Sequence, residues 1–469
     1  MSLIRQILED RVLVLDGAMG TQIHAAELDL ERDYLGLENC SEIVNVTRPD
    51  VIQAIHGRYF AAGCDAVETN TFGGSIQTLA EFGLEDRCFE INKKAAEVAR
   101  AAADEYTTEE QPRFVFGSMG PGTKLATLGQ ASYAELKAGY LEQARGLAAG
   151  GVDAFLVETC QDPLQVKAAL NAAIEAREEA GRDIFLQVSV TMEVTGTMLV
   201  GTEMAAAIAI LDPYPVDLLS LNCATGPREM GEHIRLLGQT CRKKIGVYPN
   251  AGLPQLVNGE TVYPLTPEEL ADWLHRFVTE DGINLVGGCC GSTPEHLEAI
   301  ARRMRGVTPK PRKASFAPQV ASVYGAVNLN QENSILLVGE RSNANGSKAF
   351  REHLLDGDLD KMVQMGRDQL RAGSHVLDLC TAYVGRDEVA DMTSAIERYR
   401  TDVPVPLMID STETPVLQAA LELTGGRSII NSINLEDGLG KAAEVVPLAK
   451  EHGAALVCLT IDEDGMAKT

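Results

Sequence analysis

The sequence predicts an α/β protein: a (β/α)8 TIM barrel followed by a second, incomplete TIM-barrel-type βα unit. Three observations carry this. Short β-branched runs alternate with longer Ala-, Glu- and Leu-rich stretches of helical period. Eight such units fit within about the first 300 residues, the size of one closed barrel. The alternation stops at a Pro-rich stretch and then starts again.

The first eight strands are expected at Val12–Asp16, Ala66–Asn70, Phe114–Ser118, Phe155–Thr159, Ile184–Val190, Leu218–Cys223, Ile245–Asn250 and Asn284–Gly288. Most are continuous apolar runs, as strands buried on both faces should be. Segments such as Ile91–Tyr106 and Tyr133–Ala149 supply the helices between them. An open doubly wound sheet is the alternative, but no Gly-x-Gly-x-x-Gly turn follows the first strand. The first domain is therefore placed at residues 1–305.

Residues 306–333 read as a linker, because Thr308-Pro309-Lys310-Pro311-Arg312-Lys313 is stiff and basic. The second domain, 334–469, should carry strands at Ile335–Glu340, Val376–Cys380, Leu407–Ser411, Ser428–Ser432 and Leu456–Ile461. Five strands do not close an eight-stranded barrel, so this unit is expected to be truncated or completed in some other way.

The 469 residues carry a formal charge of −26, which argues against a nucleic-acid partner, since phosphate binding needs a basic face. No apolar run is long enough to span a membrane. Met1 to Arg11 is charged and amphipathic, without the apolar core of a secretory signal, so a cytoplasmic protein is expected. The 10 cysteines then read as buried thiols or metal ligands rather than disulfides. Cys40, Cys64, Cys88, Cys241, Cys380 and Cys458 sit in or beside apolar segments and are expected to be small buried hydrophobes.

Three other cysteines stand apart. Cys223 ends the sixth strand, and Cys289 and Cys290 follow the eighth. Every strand of a βα barrel delivers its last residues to one rim, so these sulfurs should converge. Neighbouring residues on a strand point to opposite faces, so both Cys289 and Cys290 can reach one ion only if the chain bends. Gly287, Gly288 and Gly291 are expected to allow that bend. Three thiolates with a fourth position open describe a catalytic zinc site. Such an electron-rich site is a poor Lewis acid for hydrolysis and suits the activation of a substrate thiol for alkyl transfer.

At these residues the sequence resembles the homocysteine methyltransferase family. Asn222-Cys223 and Gly287-Gly288-Cys289-Cys290-Gly291 match its zinc motifs. The resemblance extends to Leu15–Thr21, Glu68-Thr69-Asn70-Thr71-Phe72 and Val157-Glu158-Thr159, and covers nearly all of residues 1–305. It implies homocysteine as methyl acceptor, with Asp16 and Glu158 as the acids that bind it; a carboxylate at the rim suits the substrate ammonium. It also implies that Asn250 fills the fourth zinc position before substrate arrives, although an asparagine before Ala-Gly is equally a turn residue.

The second unit is similar to the pterin-binding domain of the cobalamin-dependent methionine synthase family. Gly339-Glu340-Arg341-Ser342-Asn343, Met408-Ile409-Asp410-Ser411 and Ile430-Asn431-Ser432 carry that resemblance. Asp410 is the candidate acceptor for the N–H edge of a pterin, Asn431 a donor and acceptor at its ring nitrogens, and Asp378 a further strand-end acid. Cys380-Thr381-Ala382-Tyr383 departs from the family's Asp- and Asn-rich version. The resemblance implies methyltetrahydrofolate as ultimate methyl donor. It also implies a cobalamin carrier, held by a corrinoid-binding domain or protein and expected to lie outside these residues. Two other readings stay open at this stage: a corrinoid-independent enzyme using betaine or a sulfonium donor, and a zinc-binding fragment without activity.

Overall fold

The computed structural model describes residues 2–257 and 259–466. Its first domain is built on eight parallel strands: β1 (Leu13–Val14), β2 (Ala66–Glu68), β3 (Phe114–Met119), β4 (Ala154–Cys160), β5 (Phe185–Val190), β6 (Leu218–Asn222) and β7 (Lys244–Tyr248). After a small antiparallel hairpin, β8 (Gln255–Val257) and β9 (Glu260–Val262), the eighth barrel strand is β10 (Leu285–Val286). The sheet runs β1-β10-β7-β6-β5-β4-β3-β2. All eight expected barrel strands are present, several of them shorter than the apolar runs suggested.

The seam between β1 and β2 is stitched mostly by side chains. Asp65 N–H donates to Val14 O at 2.7 Å, and Val14 N–H donates to the Asp65 carboxylate at 2.9 Å. Nearer the rim, Glu68 N–H donates to both carboxylate oxygens of Asp16, each at 3.1 Å. The barrel interior is filled by Leu13, Leu15, Phe116, Leu156, Phe185 and Tyr248. Ile4 and Leu8 of the helix Leu3–Asp10 close its N-terminal end. That helix is the amphipathic start of the chain, with its apolar face turned into the barrel mouth.

Residues 306–333 are more than a linker. Lys310 N–H donates to Val278 O at 3.0 Å, and Ser315 N–H donates to Gln239 O at 2.7 Å. Arg312 reaches the carbonyl of Cys241 at 2.9 Å, at the C-terminal end of the helix Pro227–Thr240, where a cation is favoured. The segment then forms a hairpin, β11 (Gln319–Ala321) and β12 (Ala326–Asn328). Its Ser322-Val323-Tyr324-Gly325 turn lacks the Asn-Gly type of signal that marks hairpins in sequence.

The second domain is a sheet of five parallel strands in sequential order: β13 (Val338–Asn343), β14 (Val376–Cys380), β15 (Leu407–Asp410), β16 (Ile429–Ile433) and β17 (Ala455–Cys458). Val320 of the hairpin packs on Val376 and Ile429, plugging this sheet's N-terminal end as the first helix plugs the barrel. Two expectations need correction. The first strand starts at Val338, not Ile335; Ile335 is exposed, and pairing with β14 instead extends to Asn343 through a bulge. Cys458 is exposed, unlike Cys40, Cys64, Cys88, Cys241 and Cys380, because β17 is an edge strand without a neighbour on its outer side among the described residues.

The loops at the N-terminal end of the second sheet dock on the flank of the barrel. Buried Lys167 donates to Thr424 O at 3.0 Å and also to Gly426 O. Asn171 Nδ2 donates to Glu451 O at 2.8 Å, and Lys137 pairs with the Glu451 carboxylate at 2.9 Å. The C-terminal rim of the second sheet consequently points away from the barrel. No helix among the described residues is long and apolar enough to cross a membrane.

Candidate metal centre and substrate cavity

Cys223, Cys289 and Cys290 meet at the C-terminal rim of the barrel, their sulfurs all within 4.8 Å of one another. Cys223 Sγ and Cys290 Sγ are 3.9 Å apart. A tetrahedral ion with metal–sulfur bonds of about 2.3 Å sets its ligands about 3.8 Å apart, so the spacing fits zinc. The donor chemistry fits as well. Without a cation the three thiols share charge through hydrogen bonds: those from Cys223 and then Cys289 hold Cys290 down to about 3. The same interactions, from Cys223 and then Cys290, push Cys289 well above the usual thiol range. Only a bound cation lets all three ionise together.

The backbone is shaped for this. Cys223 and Ala224 both adopt left-handed conformations, φ 61° and 57°, where a side chain costs about 1–2 kcal/mol per residue. The Cys289–Cys290 turn is held on three sides. Cys289 N–H donates to Pro249 O at 2.9 Å, Cys290 N–H to Asn250 Oδ1 at 3.1 Å, and Ala251 N–H to Cys290 O at 3.0 Å. Of the three glycines, only Gly291 needs its conformational freedom, at φ +78°. Gly288 serves close packing instead: a Cβ there would lie 2.3 Å from Ser292 Oγ.

Beside the sulfurs opens a cavity of about 300 Å³, walled by Glu68, Glu158, Ser118, Thr159, Tyr248 and Phe72 as well as the three cysteines. A larger cavity, about 840 Å³, lies at the opposite end of the barrel around Arg113, where Arg11 is already paired with Asp65; it holds no thiol cluster. Ser118 Oγ donates to Glu158. Burial, above all, pushes Glu158 up to about 7. Burial and then the Glu158 charge push Glu68 well above the carboxylate range, so of the two acids in this wall Glu158 ionises more readily.

Asp16 is placed differently from Glu158. It is buried behind the wall, occupied with Glu68 N–H, and burial raises it well above its ordinary range. Glu68 stands in the wall instead, although sequence reasoning assigned it no role; its place at the head of Glu68–Phe72 was the available signal. Asn222 was also passed over. Fully buried, it bridges β4 and β6 by donating to Thr159 Oγ1 at 2.8 Å, and it reaches Cys289 Sγ at 4.0 Å. Asn250 has its side-chain oxygen turned to the Cys290 N–H rather than to the cavity.

At the rim of the second sheet the three expected residues come together. Asn343, the last residue of the Gly339–Asn343 motif and without an expected role, joins them. Its Nδ2 donates to Asp378 at 2.9 Å and to Asp410 at 3.0 Å, and Asn431 Nδ2 donates to Asp378 at 3.2 Å. Burial and then the Asp378 charge raise Asp410 above its ordinary value.

A barrel with three convergent thiols beside an acid-lined cavity defines a class, and sequence comparison agrees. Residues 13–304 match the homocysteine S-methyltransferase family, and the chain belongs to it. Residues 339–469 match the pterin-binding enzyme family. The chain is 51% identical to methionine synthase of Mycobacterium tuberculosis over 466 residues, 99% of this chain and 39% of that protein. It is also 51% identical to methionine synthase of Mycobacterium leprae over 472 residues, again 99% of this chain and 39% of the relative. The chain thus spans about two fifths of the length of these curated relatives. Among solved structures, the metallated form of the homocysteine methyltransferase MmuM from Escherichia coli superposes with a TM-score of 0.51 at 25% identity. That match covers 63% of this chain and 97% of that one.

Proposed function

We propose that this chain is the homocysteine- and folate-binding portion of a cobalamin-dependent methionine synthase. The observation that carries the reading is the spacing of Cys223, Cys289 and Cys290 beside a cavity with an ionisable acid wall. Zinc, when bound, would keep the substrate sulfur as a thiolate at neutral pH. Cys223, Cys289 and Cys290 would hold it, and Asn250 would serve as a fourth ligand only by turning away from the Cys290 N–H.

The rest follows from the chain's own groups. Glu158, held by Ser118 and Glu68, accepts the substrate ammonium, with Asp16 fixing Glu68 from behind. This leaves the substrate sulfur facing the cysteines, where its lone pair would attack a methyl carbon delivered at the open rim as the bond from that carbon to its carrier breaks, its electron pair leaving with the carrier. In the second domain Asp378, Asp410, Asn431 and Asn343 form the surface for the pterin ring of methyltetrahydrofolate. That rim points away from the barrel, so a carrier must move the methyl group between the two. A corrinoid held outside these residues suits that task. The pairing of the two domains favours this reading over a direct betaine or sulfonium donor.

The test is methionine formation by the zinc-loaded chain with methylcobalamin, betaine or a methylsulfonium compound as donor. Methionine from methylcobalamin alone is the expected result. Turnover restricted to betaine or the sulfonium donor, or undiminished in metal-free protein, would overturn the proposal.

A further inference from the structure

The joint between the two domains holds another cavity, of about 220 Å³, apart from the three cysteines and from Asp378 and Asp410. Ile208, Ala209 and Asp212 line it from the barrel, Phe316 and Gln319 from the start of the hairpin β11–β12, and Arg427 from the turn that leads into β16. Asp212 is already occupied: Arg242 donates to both of its carboxylate oxygens, at 3.1 and 2.6 Å. Arg242 in turn stacks over the Phe316 ring, 3.8 Å from its centre. That ion pair is neutral, which leaves the charge of Arg427 unbalanced.

The backbone at Arg427 is fixed. Ala321 N–H donates to its carbonyl at 3.1 Å, and a Cβ on the preceding Gly426 would lie 2.2 Å from Ala321 O. The side chain is partly buried, and its Nε has no hydrogen-bond partner among the described residues. Burial outweighs the attraction of Asp212 for this cation. A guanidinium does not shed its proton, so relief must come from an anion.

We propose that this cavity binds a small monocarboxylate, whose carboxylate pairs with Arg427 and whose short apolar body lies against Ile208, Ala209 and Phe316. The planar fork of a guanidinium takes a carboxylate through two parallel hydrogen bonds. One unbalanced positive charge matches one negative charge, and the apolar side chains beside it seat an aliphatic chain. Barrel and second domain each supply a wall, so an occupied cavity ties the two together and stabilises the folded chain by mass action.

The test titrates butyrate into the full chain, with ionic strength held constant by chloride. Ligand-observed NMR reads saturation, and thermal unfolding reads the midpoint. Butyrate should bind saturably, with a Kd on the order of 1 mM, and raise the midpoint. Acetate, which lacks the apolar body, should bind about threefold more weakly, and inorganic phosphate more weakly than butyrate. Arg427→Gln should lose about tenfold in butyrate affinity. A butyrate response no greater than that to chloride would overturn the proposal, as would equal butyrate affinity in Arg427→Gln. Acetate or phosphate binding as tightly as butyrate would overturn the assignment of a carboxylate with an apolar body.

Discussion

Glu158 and Asp16 show how finely the seam of a barrel sorts two acids of similar sequence context. Each follows a strand run and was expected to bind substrate, yet only Glu158 reaches the cavity. Regular pairing of β1 ends at Val14, so the Asp16 carboxylate takes over the bonding of the β1–β2 seam. The strand end was legible in the sequence; which acid faces inward was not, because that depends on a cross-strand register no local pattern encodes. The convergence of the cysteines was legible because it needs only the shared rim. Glu158→Gln should keep its metal and lose homocysteine affinity by roughly tenfold to a hundredfold, the range of a hydrogen bond to a charged group. Titration calorimetry of metal-loaded protein checks this, and an affinity within twofold of the unchanged protein would remove Glu158 from the binding role.

Among the elements, the Gly287–Gly291 turn was expected for its flexibility, and the structure uses most of it for proximity. Gly288 leaves no room for a methyl group against Ser292. Gly288→Ala should destabilise the protein by about 1–3 kcal/mol, the usual cost of overpacking, and weaken zinc binding. Gly231, inside the helix Pro227–Thr240, has open space where an alanine methyl would lie, with no other atom within 4 Å. Gly231→Ala should therefore stabilise by about 0.5–1 kcal/mol. Denaturant unfolding and a zinc competition assay on both variants separate crowding from flexibility; equal effects would contradict the packing account. The barrel strands were readable because parallel buried strands are continuously apolar. The hairpin β11–β12 was not, being short, partly polar and without a strong turn signal, whereas β8–β9 carries an Asn258-Gly259 turn signal between strands too short to read as strands alone.

At the scale of the whole molecule, Lys167 ties the barrel to the second domain through carbonyls alone, and burial lowers it to about 7. Its side chain faces Arg427 across the joint, with Lys137, Glu451 and His452 nearby. Between pH 7 and about 10.5 the unfolded chain binds this proton and the folded chain does not, so stability attributable to Lys167 rises with pH in that window. Below pH 7 the full burial penalty applies. Lys167→Met should flatten that part of the stability profile in thermal unfolding; a slope equal to that of the unchanged protein would show that folded Lys167 keeps its proton across that window. Such a joint fixes the N-terminal loops of the second sheet against the barrel flank and its C-terminal rim on the far side. The centre of the account is still the three sulfurs, and X-ray absorption on the zinc-loaded chain measures them directly. The account predicts three sulfur ligands and one lighter atom, becoming four sulfurs when homocysteine is added. A sulfur count that homocysteine leaves unchanged would contradict it.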